Sequence, residues 1–238
     1  MEVCGGATLS VRGESCVGGQ WVPREYGEAA KWLRRGAEQG DASAQVKLGR
    51  MYYHGGGVKQ DFALAADWST RGADQGDMHA QNLLGTMYDS GKGVDQDYAK
   101  AIELYQEAAE QGYAAAQYNL GNLLSFGREI PENYDMAVKW AGEQNYTEAA
   151  RWFQKAAEQG NASAQLNLGG MYAKGRGVPR DHTLAYMWTL IATAYAKGAV
   201  KTKAEQNRDI LVKHMTSQQI AEAQAGALSF RPQVTQGP

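Results

Sequence analysis

The chain has 238 residues, 43% of them hydrophobic and 21% charged, with a formal net charge of −2. This is the composition of a chain that buries a core, which sets disorder aside. The near balance of charge excludes a general nucleic-acid or anionic-membrane binder, which needs a concentrated basic footprint, and no window approaches the ~18 apolar residues of a membrane span.

Residues 1–21 read as an irregular N-terminal arm. They hold both cysteines, Cys4 and Cys16, which supply neither a zinc-like pairing nor a disulfide framework. Met1 to Ser10 has no basic start and no long apolar run, so the chain as written is expected to be cytoplasmic, or periplasmic or secreted if a leader has been removed. Val22 and Pro23 look like the loop end of a preceding, eroded unit. From there the sequence repeats. Units open at Tyr26, Phe62 and Tyr98, giving 26–61, 62–97 and 98–133, and a fourth covers 146–181, each 36 residues long. Fixed self-similarity of this length is the signature of stacked solenoid units, each too small to bury its own apolar faces.

Each unit predicts two helices. Helix A carries its opening aromatic, alanine three residues on (Ala29, Ala65, Ala101, Ala149), a large apolar residue at the sixth (Trp32, Trp68, Leu104, Trp152) and alanine at the eleventh (Ala37, Ala73, Ala109, Ala157). At 100° per residue these fall within a stripe of about 140°. Gly40, Gly76, Gly112 and Gly160 end it in the left-handed conformation, and Asp41, Asp77 and Asn161 cap the next helix. Helix B has its stripe at Ala44, Leu48, Met51 and Tyr52, repeated as Ala80, Leu84, Met87 and Tyr88 and as Ala164, Leu168, Met171 and Tyr172. It closes at Gly55, Gly91, Gly127 and Gly175, and Asp61, Asp97, Asn133 and Asp181 cap the next helix A. Gln45, Gln81, Gln117 and Gln165 recur beside this core, where a polar side chain must be hydrogen-bonded; the adjoining loop backbone is the expected partner.

Residues 134–145 interrupt the array. Tyr134, Ala137 and Trp140 start a helix A, but the pattern restarts at Tyr146 with no helix B between. Continuing one helix through twelve residues would turn it by about 120° net, so a break at Gly142 to Asn145 is predicted. Residues 182–228 read as capping helices: His182 to Lys197, then 199–215, then 217–227 behind a Thr216/Gln219 capping box. A flexible tail is expected over 229–238.

The spelling A-x-x-W, A-A-E-Q-G (residues 108–112 and 156–160), A-x-A-Q-x-x-L-G-x-M-Y and G-x-G-V resembles the Sel-one-like repeat family, a branch of the tetratricopeptide-like solenoids, over roughly residues 22–225. The resemblance implies an all-α, right-handed α/α superhelix with helix A on its concave side, and an adaptor or scaffold role. Some cysteine-rich relatives bind or hydrolyse β-lactams, which implies an alternative enzymatic role; their cysteines are paired within each repeat, and the repeats from Tyr26 onward contain none.

Other motifs carry less. Gly55-Gly56-Gly57, Gly91-Lys92-Gly93 and Gly175-Arg176-Gly177 come after helices rather than strands and lack the order of a phosphate loop. His54, His79, His182 and His214 sit at different repeat positions without ligand-like partners. No catalytic residue, metal or cofactor is expected, and the chain is expected to be monomeric. Recognition is sought where units differ and point outward, at the fifth and ninth residues after each opening aromatic. These are Lys31 and Arg35, Asp67 and Arg71, Glu103 and Glu107, and Arg151 and Lys155. Net charge runs +2 over 26–61, −8 over 62–145 and +5 over 146–238, a pattern that either selects a partner with a central basic stretch or serves solubility. The candidate site for a protein or peptide partner is Asp67, Arg71, Glu103, Glu107, Arg151 and Lys155, with Trp140 either an exposed anchor or a core residue like its counterparts.

Overall fold

A computed structural model describes residues 15–17, 20–22, 26–125 and 146–233. After two short strands come the helices α1 Tyr26–Glu38, α2 Ala42–His54, α3 Phe62–Asp74, α4 Met78–Ser90, α5 Tyr98–Glu110 and α6 Ala114–Ser125, then α7 Tyr146–Glu158, α8 Ala162–Lys174, α9 His182–Tyr195, α10 Gly198–Leu211 and α11 Ser217–Ser229. The helices alternate as A and B. The insertion 134–145 and the break expected at Gly142 to Asn145 lie outside the described residues. The chain divides into two compact units, 1–104 and 105–238, with the division inside α5.

Helix ends are set by local chemistry. Gly40, Gly76, Gly112 and Gly160 all have φ between 80° and 93°, a region open to glycine at little cost. Asp41, Asp77 and Asn161 accept hydrogen bonds from the first-turn amides of Ala44, Ala80 and Ala164. Asp61 and Asp181 do the same for Leu64 and Leu184. Each cap satisfies a donor that the helix cannot.

In the first unit α2 packs against α1 and α3, and α3 against α4. Ala37, Leu48, Tyr52, Ala65, Trp68, Leu83 and Met87 form its core. In the second unit α6 packs against α7, α8 against α7 and α9, and α9 against α10 and α11. The buried face of helix A is wider than the predicted stripe. It includes the fourth residue after the opening position (Ala66, Ile102, Ala150, Tyr186) and the seventh (Ser69, Tyr105, Phe153, Thr189). In three of these helices the seventh residue meets a glycine inside the preceding helix B. A Cβ on Gly49 would lie 2.9 Å from Ser69 Oγ, one on Gly121 2.8 Å from Phe153, and one on Gly169 3.0 Å from Thr189 Oγ1. These glycines let neighbouring hairpins touch, and so they are interior residues of helices rather than terminators.

Three details differ from expectation. Residues 15–17 and 20–22 pair as an antiparallel ladder, Ser15 opposite Val22 and Val17 opposite Gln20, where an irregular arm was expected. Trp32, assigned to the buried stripe, is 49% exposed while Trp68 and Trp152 are each 8% exposed. The expected tail is in part structured: α11 runs to Ser229, and Phe230–Gln233 lie against the helices of the second unit through ring contacts and a backbone hydrogen bond, while the rest of the expected tail, 234–238, lies outside the described residues. The Thr216/Gln219 capping box is formed in both directions.

Candidate functional site

On α3 the outward residues are Asp67 and Arg71, paired at 3.0 Å with both side chains about half exposed (50% and 52%). The Arg71 guanidinium also lies 4.6 Å from the centroid of Trp68. On α7, Arg151 pairs with Glu148 at 3.1 Å, and Lys155 Nζ stands 4.2 Å over Trp152. α1 repeats the scheme, with Lys31 on Glu28 and Arg35 5.0 Å over Trp32. The ninth-position cations therefore have two roles. They are exposed to solvent, and they cover the outer face of the tryptophan three residues before them. Exposed ion pairs are worth ~0–1 kcal/mol and exposed cation–π contacts ~0.5–1 kcal/mol, so a partner can rearrange them at small cost.

α5 differs. Leu104 takes the tryptophan's place, and the outward residues are Glu103 and Glu107, both exposed and one helical turn apart. Of the candidates, the first unit thus holds Asp67, Arg71 and Glu103, the second Glu107, Arg151 and Lys155. Trp140 lies outside the described residues.

In α9 the outward face is closed. Its fifth and ninth positions are Met187 and Ile191, the latter 2% exposed. α11 crosses it, close enough that a Cβ on Gly226 would come within 2.7 Å of Met187 Sδ. The sequence carries this signal, since two positions charged in the earlier helices A are apolar in α9, beyond what a generic cap over 182–228 requires.

The recurring glutamines are hydrogen-bonded to backbone, but to the last turn of helix A rather than to the adjoining loop: Gln45, Gln117 and Gln165 donate to the carbonyls of Ala37, Ala109 and Ala157 at 3.0–3.1 Å. A second set joins them. Gln75 donates to Gln45 Oε1 at 2.8 Å and Gln159 to Gln117 Oε1 at 2.9 Å, linking the ends of α3 and α7 to α2 and α6. The glycine-rich loops are likewise structural. A Cβ on Gly93 would lie 2.1 Å from the Phe62 carbonyl oxygen, and one on Gly177 2.1 Å from the Tyr146 backbone, so the loop rests directly on the start of its own hairpin.

Burial raises the Asp89 carboxyl above its ordinary 3.8. Burial first, then the charges of Asp181 and Glu158, raise the Tyr172 phenol. Both groups belong to helices B. Among the described residues no group of three or more His, Cys, Asp or Glu side chains could hold a metal ion, and none of their helices is long and apolar enough to cross a membrane.

Two helices per repeat, glutamine rungs from α3 to α2 and from α7 to α6, and interior glycines under Ser69, Phe153 and Thr189 define a specific repeat. Residues 13–41, 42–77, 79–113, 114–143, 141–161 and 162–194 each match the Sel1 repeat. The chain belongs to the Sel1 repeat family. The first Sel1 match reaches back into the arm, and two matches overlap at 141–143, inside the insertion. A crystal structure of a Sel1 repeat protein from Oxalobacter formigenes is 36% identical with a TM-score of 0.63, covering 77% of this chain and 50% of that one. The chain thus spans about half the length of that relative. The structure of c5321, a protective antigen present in uropathogenic Escherichia coli strains and displaying an SLR fold, is 27% identical with a TM-score of 0.45, covering 88% of this chain and 57% of that one. No curated protein matches the chain. Sel1 repeat proteins are generally protein-interaction scaffolds.

Proposed function

We propose that the chain is a non-catalytic scaffold that holds a partner protein or peptide on the helix A side of its repeats. One observation carries this reading. The buried positions recur from hairpin to hairpin, whereas the exposed fifth and ninth positions change sign: Asp67 and Arg71 on α3, Glu103 and Glu107 on α5, Arg151 and Lys155 on α7. Solvation asks only for charge. A sign that differs between helices is what a charged partner distinguishes, because electrostatic complementarity acts on specificity and association rate.

The test begins with proteins captured from the native organism by the intact chain, then compares their affinity for the Glu103→Lys/Glu107→Lys double variant. Weaker binding, a changed dependence on salt and an unaltered melting temperature are expected, since both glutamates are exposed and screened charges at a rim act on association. Undiminished affinity in a folded double variant would remove this face and move the search to helices B.

A further inference from the structure

The repeat itself defines what is unusual about α9. In α3 and α7 the tryptophan is covered by the cation three residues later, Arg71 at 4.6 Å and Lys155 at 4.2 Å. At the same place α9 has Ile191, which is buried, so no cation of its own helix covers Trp188. The cover comes from residues 230–233, beyond α11. Phe230 meets Trp188 edge-on with ring centroids 5.6 Å apart and meets Tyr195 at 6.3 Å. Pro232 lies on Gly160, 3.3 Å from where a Cβ would stand. The Gln233 amide donates to the Glu158 carbonyl at 2.8 Å, one of the carbonyls that the end of α7 leaves without an intrahelical donor.

A second departure is independent of the first. Tyr195 stands where Gln75 and Gln159 reach back to the glutamine of the preceding hairpin. Gln165 Oε1 is consequently buried with no hydrogen-bond partner. Stacking alone is better served by glutamine at 195, because an unsatisfied buried acceptor is unfavourable. The tyrosine instead is half exposed and forms a second aromatic wall beside Trp188. The segment between these walls is lightly held: Arg231 and Gln233 are exposed, and the Arg231 guanidinium turns to the carbonyls of Leu228 and Phe230 in its own segment.

We propose that the Trp188–Tyr195 cleft, with the Glu158 carbonyl at its far end, is a docking site for an extended protein segment bearing an aromatic residue two positions before a proline. Residues 230–233 fill it in cis until such a segment displaces them. The proposal rests on the reading of the helix A side as the binding side and adds the chemistry of the ligand. The aromatic ring enters the cleft, proline keeps the residue before it extended and lies flat on Gly160, and the next amide caps α7.

The probe is a labelled peptide with the sequence of residues 228–233, Leu-Ser-Phe-Arg-Pro-Gln, titrated into the full chain and its variants. The tethered segment competes at an effective concentration of about millimolar, so Phe230→Ala is expected to bind the peptide at least tenfold more tightly than the unaltered chain. Adding Tyr195→Gln is expected to abolish that gain while the helical signal and melting temperature hold. A control peptide with alanine for phenylalanine is expected not to bind. Equal binding to the Phe230→Ala variant and the unaltered chain, or equal binding of both peptides, overturns the proposal. If Phe230→Ala does not fold, amide exchange in the unaltered chain decides: exchange at Gln233 accelerated by excess peptide supports displacement, and unchanged exchange overturns it. A failure here together with a Glu103/Glu107 effect on a captured partner would remove the cleft and leave the scaffold reading standing.

Discussion

Gln159 donates its side-chain amide to Gln117 Oε1 at 2.9 Å, whereas the equivalent oxygen of Gln165 is buried with no donor. Both glutamines make the same bond to the backbone, to Ala109 and Ala157 respectively, and both carbonyls keep a second donor from Gly112 and Gly160. The two positions therefore differ in one interaction. Replacing Gln117 by leucine loses a satisfied amide pair, and replacing Gln165 removes an unsatisfied acceptor. Gln117→Leu is expected to be less stable than Gln165→Leu by about 1–2 kcal/mol in urea unfolding, the usual scale of a buried hydrogen-bonding group. Equal losses would mean that Gln165 finds a donor.

The hairpins were legible because their signals are local and repeated. Gly40 with Asp41, or Gly160 with Asn161, ends one helix and starts another through backbone chemistry that needs no tertiary information. The breadth of the buried face was not legible, because whether Ser69 or Phe153 is covered depends on the glycine opposite, Gly49 or Gly121, in another helix. The candidate charges on α3, α5 and α7 are exposed as their helical phase requires. That Arg71 and Lys155 also cover tryptophans, and that Phe230 covers Trp188, depends on side-chain reach and on a contact more than forty positions distant in the chain.

Trp68 is 8% exposed within the core of the first unit, and Trp32, at the same repeat position, is 49% exposed. Trp68→Ala is expected to cost about 3–5 kcal/mol, the range for a buried large aromatic, and Trp32→Ala less than half of that. Chemical denaturation monitored by circular dichroism separates the two. A Trp68→Ala loss below about 1 kcal/mol, close to that of a surface substitution, would contradict the stacking of α3 on its neighbours.

Two glycines with positive φ distinguish conformational strain from steric exclusion. Gly40 has φ 93° with nothing within 4 Å of a Cβ, while at Gly177, with φ 69°, a Cβ would fall 2.1 Å from the Tyr146 backbone. Gly40→Ala is expected to cost about 1–2 kcal/mol, the penalty of the left-handed region for a residue with a Cβ. Gly177→Ala adds a backbone displacement to that penalty, about 1–3 kcal/mol more on the scale of overpacking. Melting temperatures of the two variants, compared at one pH, test the difference. Equal losses would show that the loop moves off the start of α7 freely, in which case the Gly-Arg-Gly spelling would have no structural basis at its second glycine.

Asp89 on α4 is held above its ordinary carboxyl range by burial, so its charge is a cost to the folded state at neutral pH. The sign comes from proton linkage. Because the folded carboxyl keeps its proton to higher pH than the unfolded one, the unfolded state binds fewer protons between the two values. Stability therefore falls as pH rises from 3.8 through the raised folded value, and is level above it. Asp89→Asn removes the titration while retaining the shape. The variant is expected to melt at higher temperature than the unaltered chain at pH 7, with the advantage shrinking on acidification and lost below 3.8, where both side chains are neutral. An Asp89→Asn chain that is less stable at pH 7 would show that the carboxylate gains more from a neighbouring donor than burial takes away, reversing the direction assigned to it.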